Sequence, residues 1–189
     1  MRLVAVLAGA AIAVALSTHA RAQNNDSTLC FSIGSENYKK EGYIDTGIRA
    51  CTRLIAVRSG KGLAAAYGAR GYWYTKQEKL AAAIADFDRA IEIDPKNVEL
   101  YDYRADAWDA KGEPDKALAS YETSIRVDPT YAPAHLGRGV ILLKKGQIER
   151  ARESFEATLA APTKDRIGEW AKQQARKRLQ KLDDEKKKN

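Results

Sequence analysis

Residues 98–131, VELYDYRADAWDAKGEPDKALASYETSIRVDPTY, carry the pattern that decides the fold. Tyr101, Arg104, Ala105 and Trp108 are spaced i, i+3, i+4, i+7, one face of a helix. Gly112 and Glu113 interrupt that pattern, and Pro114 suits the first turn of a second helix, where its missing N–H costs nothing. On the second helix, Ala117, Tyr121 and Ser124 put small residues where two antiparallel helices must approach closely, and the Tyr121 ring fills the gap toward a neighbour. Asp128-Pro129 ends the unit, because proline drives the preceding residue to extended geometry. One such hairpin cannot bury its apolar face alone, so adjacent units must supply the core.

The same unit stands on both sides. Aligning the segments that begin at Ala64, Val98 and Ala132 puts Arg70, Arg104 and Arg138 in register, followed by Gly71, Ala105 and Gly139. Ala83, Ala117 and Ala151 come next, then Phe87, Tyr121 and Phe155, then Ala90, Ser124 and Thr158, each triple spaced by 34 residues. Pro95 and Pro129 close successive units. In period and in these positions the chain resembles the tetratricopeptide repeat (TPR). The resemblance implies an all-α, right-handed superhelical α-solenoid of helix-turn-helix repeats, used as a peptide-binding scaffold. The expected repeats cover 64–97, 98–131 and 132–165. Where the family has a large apolar residue this chain has Arg70, Arg104 and Arg138, and each guanidinium is expected to pair inside its own hairpin, as Arg70 can with Asp86. The turn glycines Gly112 and Gly146 have Glu78 as their counterpart in the first unit, and Pro162 arrives one residue early; both bear on loop geometry.

Upstream, residues 47–55 can be laid on 83–91, which makes residues 23–63 a degenerate leading repeat with Cys51 in the aromatic's place and a first helix near Cys30 to Gly42. Downstream, residues 166–189 form a capping helix with a basic tail. Its stripe of Ile167, Trp170, Ala171, Ala175, Leu179 and Leu182 is expected to cover the last repeat.

At the N-terminus, Met1-Arg2 is followed by an apolar or small run from Leu3 to Leu16 and by Ala20-Arg21-Ala22, which fits the small-x-small cleavage rule. The segment 1–22 therefore reads as a secretory signal peptide. A run of fourteen residues is short for a bilayer span. Periplasmic or secreted location after cleavage near Ala22 is expected, in a Gram-negative envelope. In an oxidising compartment a lone pair such as Cys30 and Cys51 forms a structural disulfide.

The net charge of +7 does not signal nucleic acid, because residues 23–163 hold 20 basic and 20 acidic residues and the excess lies in the leader and in 164–189. The tail is instead a candidate for contact with a membrane surface or cell-wall glycan, the alternative function being an envelope assembly factor. No catalytic residue, metal site or cofactor is expected: His135 occupies the place of Tyr67 and Tyr101, and there is no H-E-x-x-H, G-x-S-x-G or glycine-rich phosphate loop.

The family resemblance places ligand contacts on the first helix of each hairpin. The candidate groove residues are Tyr72, Thr75 and Lys76 in the first unit, Glu99, Asp102, Tyr103, Asp106 and Asp109 in the second, and Val140, Leu143 and Lys144 in the third. Glu99, Asp102, Asp106 and Asp109 share one helical face, which favours a basic protein or peptide partner. A related subtype grips a chaperone's terminal carboxylate with lysine, arginine and asparagine. Here the corresponding places hold Gly68, Tyr72, Tyr103, Pro133 and Gly137, so that ligand is not expected.

Overall fold

Repetition in sequence becomes repetition in space in the computed structural model, which describes residues 24–33, 40, 42–163 and 165–187. The segment 1–22 expected to be a leader, with the cleavage expected near Ala22, lies outside the described residues. Residues 24–30 are helical (α1). They are followed by α2 (Tyr43–Ile55), α3 (Gly60–Lys76), α4 (Leu80–Ile93), α5 (Val98–Ala110), α6 (Pro114–Val127), α7 (Ala132–Lys144), α8 (Ile148–Ala160) and α9 (Arg166–Lys186). Helices α3 and α4, α5 and α6, and α7 and α8 pack as hairpins, and each hairpin stacks on the next. The result is an all-helical solenoid.

The residues that recur in the sequence are the ones that build the stack. Ala83, Ala117 and Ala151, the rings of Phe87, Tyr121 and Phe155, and Ala90, Ser124 and Thr158 are all buried. Small residues let the two helices of a hairpin approach, and one ring per unit fills the remaining space. The core is accordingly a row of clusters, one centred on Cys51 and Trp73, one on Phe87, one on Tyr121 and one on Phe155.

The arginine ladder is internal. Arg70 makes a two-pronged pair with Asp86, at 2.7 and 2.8 Å. Sixteen residues on from their own positions, Arg104 reaches Ser120 at 3.2 Å and Arg138 reaches Ser154 at 3.0 Å, so each guanidinium ties the two helices of its hairpin. Arg104 also pairs with Asp88 of the preceding unit at 2.7 Å. His135 is a packing residue of the same kind: its Nε2 lies 2.8 Å from the Pro129 carbonyl, the bond that Tyr101 makes to Pro95 at 3.0 Å one unit earlier.

The turns repeat as well. Gly112 and Gly146 have φ of 81° and 72°, and Glu78 takes the same left-handed conformation at 58°. The missing glycine thus leaves the turn geometry unchanged and puts a Cβ where one is disfavoured.

At the N-terminal end most of the span of the expected first helix near Cys30 to Gly42 falls outside the described residues. Helix α1 ends at Cys30, Gly42 is left-handed at φ 73°, and residues 34–39 and 41 lie outside the described residues. Three contacts fix α1 where it is. The sulfurs of Cys30 and Cys51 stand at disulfide distance, with Cα atoms 4.8 Å apart. The Trp73 indole donates to the Cys30 carbonyl at 2.9 Å. Asp26 pairs with Arg53 at 2.5 Å.

At the other end, α9 packs on α7 and α8 through Ala171, Ala175, Leu182 and the half-buried Leu179. Two members of the expected stripe do not join it: Ile167 and Trp170 are 55% and 54% exposed. Successive residues are 100° apart on a helix, so Trp170 is turned away from the line that Ala171 and Ala175 define.

Candidate functional site

The first helices form a row. Helix α3 touches α5, α5 touches α7, and α9 continues the row against α7 as though it began a further repeat. The candidate groove lies along this row, and its acidic middle comes from α5.

Asp102, Asp106 and Asp109 line one cavity of about 170 Å³ with Tyr121, Pro133, Leu136, Gly137, Val140 and Ile141. Trp170 and Arg178 of α9 complete its wall. Gly137 is required there: a Cβ at that position would stand 2.3 Å from the Tyr121 ring, so only glycine lets α7 close over the tyrosine. The Tyr121 hydroxyl donates a hydrogen bond to Asp106. Asp109 pairs with Lys144 of α7 at 2.6 Å, a link between the second and third units.

Asp102 has no such partner. Its Oδ1 is sealed from solvent and makes no hydrogen bond. Burial, then the charges of Asp106 and Glu99, hold its carboxyl well above the usual carboxylate range. Asp106 is also raised by burial, against which the Tyr121 hydrogen bond acts. Burial pushes the Tyr103 phenol up to about 12, and the phenols of Tyr121 and Tyr131 are raised by the same cause. The cations nearby are otherwise engaged. Lys144 is taken by Asp109, Lys76 sits 5.0 Å over the Tyr72 ring, and Arg178 bonds back along α9 to the Gln174 carbonyl and side chain at 3.4 Å.

The other candidate residues are distributed around this cavity. Tyr72 meets Tyr103 edge-on at 6.1 Å, and Tyr103 stacks on Phe87 at 6.0 Å, forming an aromatic floor in the first and second units. Thr75 is tied back to the Gly71 carbonyl at 3.1 Å. Glu99 lies apart, in a second cavity of about 150 Å³ with Asp128, Tyr131, Thr163, Asp165 and Ile167. Leu143 is half-buried and packs into the C-terminal cluster.

Reading the sequence one helix at a time misses Tyr121, Trp170 and Arg178. Tyr121 has two jobs, a ring for packing and a hydroxyl for Asp106, and only the first has a sequence signal. Trp170 sits within a stripe whose other members are mostly buried, and the register that turns it into the groove depends on where α9 lands.

Two family models described as tetratricopeptide repeat match the chain, over residues 64–97 and 104–165. Among solved structures, MamA is similar at 26% identity, with 73% of this chain and 78% of that chain covered and a TM-score of 0.59. The second TPR of Spaghetti (RPAP3), bound to the HSP90 peptide SRMEEVD, is similar at 27% identity, with 54% and 94% covered and a TM-score of 0.51. TTC0263, a TPR protein of Thermus thermophilus, shares the fold at 22% identity, with 74% of each chain covered and a TM-score of 0.59. No curated protein sequence matches the chain.

Proposed function

Because the chain belongs to the tetratricopeptide repeat family, we propose that it is a non-catalytic scaffold whose concave groove binds a basic segment of another protein in the bacterial envelope. The observation that carries this reading is the Asp102 carboxylate, whose Oδ1 is sealed from solvent without a hydrogen bond, in one cavity lining with Asp106 and Asp109. Buried charge without a partner is costly, and a cationic ligand removes that cost on binding. The peptide held by the second TPR of Spaghetti is acidic at its end. An acidic terminus of that kind would meet three aspartates here, so this groove selects the opposite charge.

Two features support the envelope as the compartment. The leader-like sequence of 1–22 fits export, and the Cys30–Cys51 pair fits an oxidising space. Among the described residues no helix is long and apolar enough to cross a membrane.

The test is a crosslinked pull-down from periplasmic extract with the chain and its Asp102→Asn, Asp106→Asn double variant. Asparagine keeps the volume and still accepts from Tyr121, so the fold is spared while the charge goes. Loss of the captured partner in the variant is the expected result. Capture that is unchanged sinks the groove reading and turns attention to α9. For that arm, Arg176→Gln, Lys177→Gln and Lys181→Gln are preferable to truncation, since these three are exposed while Leu179 and Leu182 hold α9 in place. Loss with the glutamine variant alone supports the contact with lipid headgroups or glycan.

A further inference from the structure

Within the groove, one place is shaped for one side chain. The cavity between α5, α7 and α9 has about 170 Å³, room for five or so waters at ~30 Å³ each or for the end of a single long side chain. Its lining includes Asp102, whose Oδ1 is sealed from solvent and lacks a hydrogen bond, and the apolar Val140, Leu136 and Pro133. Trp170, more than half exposed, belongs to the same lining. A carboxylate, apolar side chains and an exposed indole in one lining match a cation carried on an aliphatic stem.

We propose that this cavity receives one lysine or arginine side chain of the partner segment, with Asp102 as its buried counter-ion and Trp170, supplied by the C-terminal helix, as the aromatic wall beside its stem. The inference rests on the reading that the groove takes a basic partner, and narrows it to one residue of that partner. It also gives α9 a role beyond covering the last repeat, because the pocket is incomplete without it. A metal ion is the wrong occupant: among the described residues no three acidic, histidine or cysteine side chains are gathered closely enough to hold one. The protein's own cations do not fill the place either, since Lys144 is paired with Asp109 and Arg178 bonds to Gln174.

The probes are capped amino acids small enough to enter the pocket without spanning the groove: Nα-acetyl-lysine N-methylamide, its arginine counterpart and the uncharged norleucine counterpart. Binding is followed on the full chain by the indole N–H resonance of Trp170, assigned with a Trp170→Phe variant. The expected result is a saturable shift with the lysine or arginine probe, at least ten-fold weaker in Asp102→Asn, and none with norleucine. The tighter of the two cations identifies the side chain. A norleucine response as strong as the cationic one, an unchanged response in Asp102→Asn, or no saturable shift with either cation overturns the proposal. If the pull-down still depends on Asp102 and Asp106 while the probes fail, the pocket is wrong and the groove reading stands. If both fail, the groove reading falls with it.

Discussion

Asp102 is held against its own stability. Its carboxyl is raised by burial and by the neighbouring acids, so the folded chain binds this proton more readily than the unfolded chain does. Stability therefore falls as pH rises from about 3.8, the ordinary aspartate value, through the raised one, and the whole cost is present above that window. Asp106, Asp109 and Glu99 on α5, Tyr121 on α6, Asp128 and Tyr131 before α7, Lys144 on α7, Asp165 before α9 and Arg178 on α9 are the other titratable or charged groups around these two cavities. Asp102→Asn removes one charge and leaves the rest. It should raise Tm at pH 7, by about 2–4 °C for each kcal/mol of relieved desolvation and repulsion, and the gain should vanish near pH 3. Thermal melts of the two proteins across that range are the check, and a variant no more stable at pH 7 contradicts the account. Stabilisation on removal of a side chain that ligand binding needs is the usual signature of a functional site.

At the scale of the element, the turn between α3 and α4 offers a clean comparison with its two successors. Glu78 adopts the left-handed conformation that Gly112 and Gly146 take in the other units. A Cβ there costs about 1–2 kcal/mol, offset by the 0.5–1 kcal/mol or so that glycine loses through its freedom in the unfolded chain. Glu78→Gly is expected to stabilise by up to ~1 kcal/mol, read as a Tm higher by about 2–4 °C with helix content unchanged. A lower Tm would mean that the Glu78 side chain contributes something the backbone argument omits. The hairpins themselves are readable from sequence because their determinants are local: Pro114 at a helix start, Asp128-Pro129 at an end, and alanines and rings at matched positions. What was not readable is tertiary. The Cys30–Cys51 pair is expected from the sequence, but the Trp73 indole that donates to the Cys30 carbonyl from 43 residues away carries no such signal. The pocket depends on α9 settling against α7, which no local spacing encodes, and Ile167 and Trp170 accordingly fall outside the stripe expected of them.

For the whole molecule, a core divided into successive clusters implies that damage at one end stays there. In a solenoid each unit contacts its neighbours alone, so stability is a sum of local terms and interfaces. The N-terminal cluster holds Cys30, Cys51, Leu54 and Trp73, whereas the pocket draws on the clusters around Tyr121 and Phe155. A bridge spanning 21 residues contributes about 3 kcal/mol in the chain-entropy model, all of it to the leading unit. A Cys30→Ser, Cys51→Ser variant should therefore lose amide protection in α1 and α2 and expose the buried Trp73, which mass-resolved hydrogen exchange and a red-shifted tryptophan emission would both report. Helices α5 to α9 should keep their protection, and the Trp170 resonance should respond to the cationic probes as before. Uniform loss of protection through α9 would mean that the stack unfolds as one cooperative body. The pocket would then answer to the redox state of a cysteine pair several helices away.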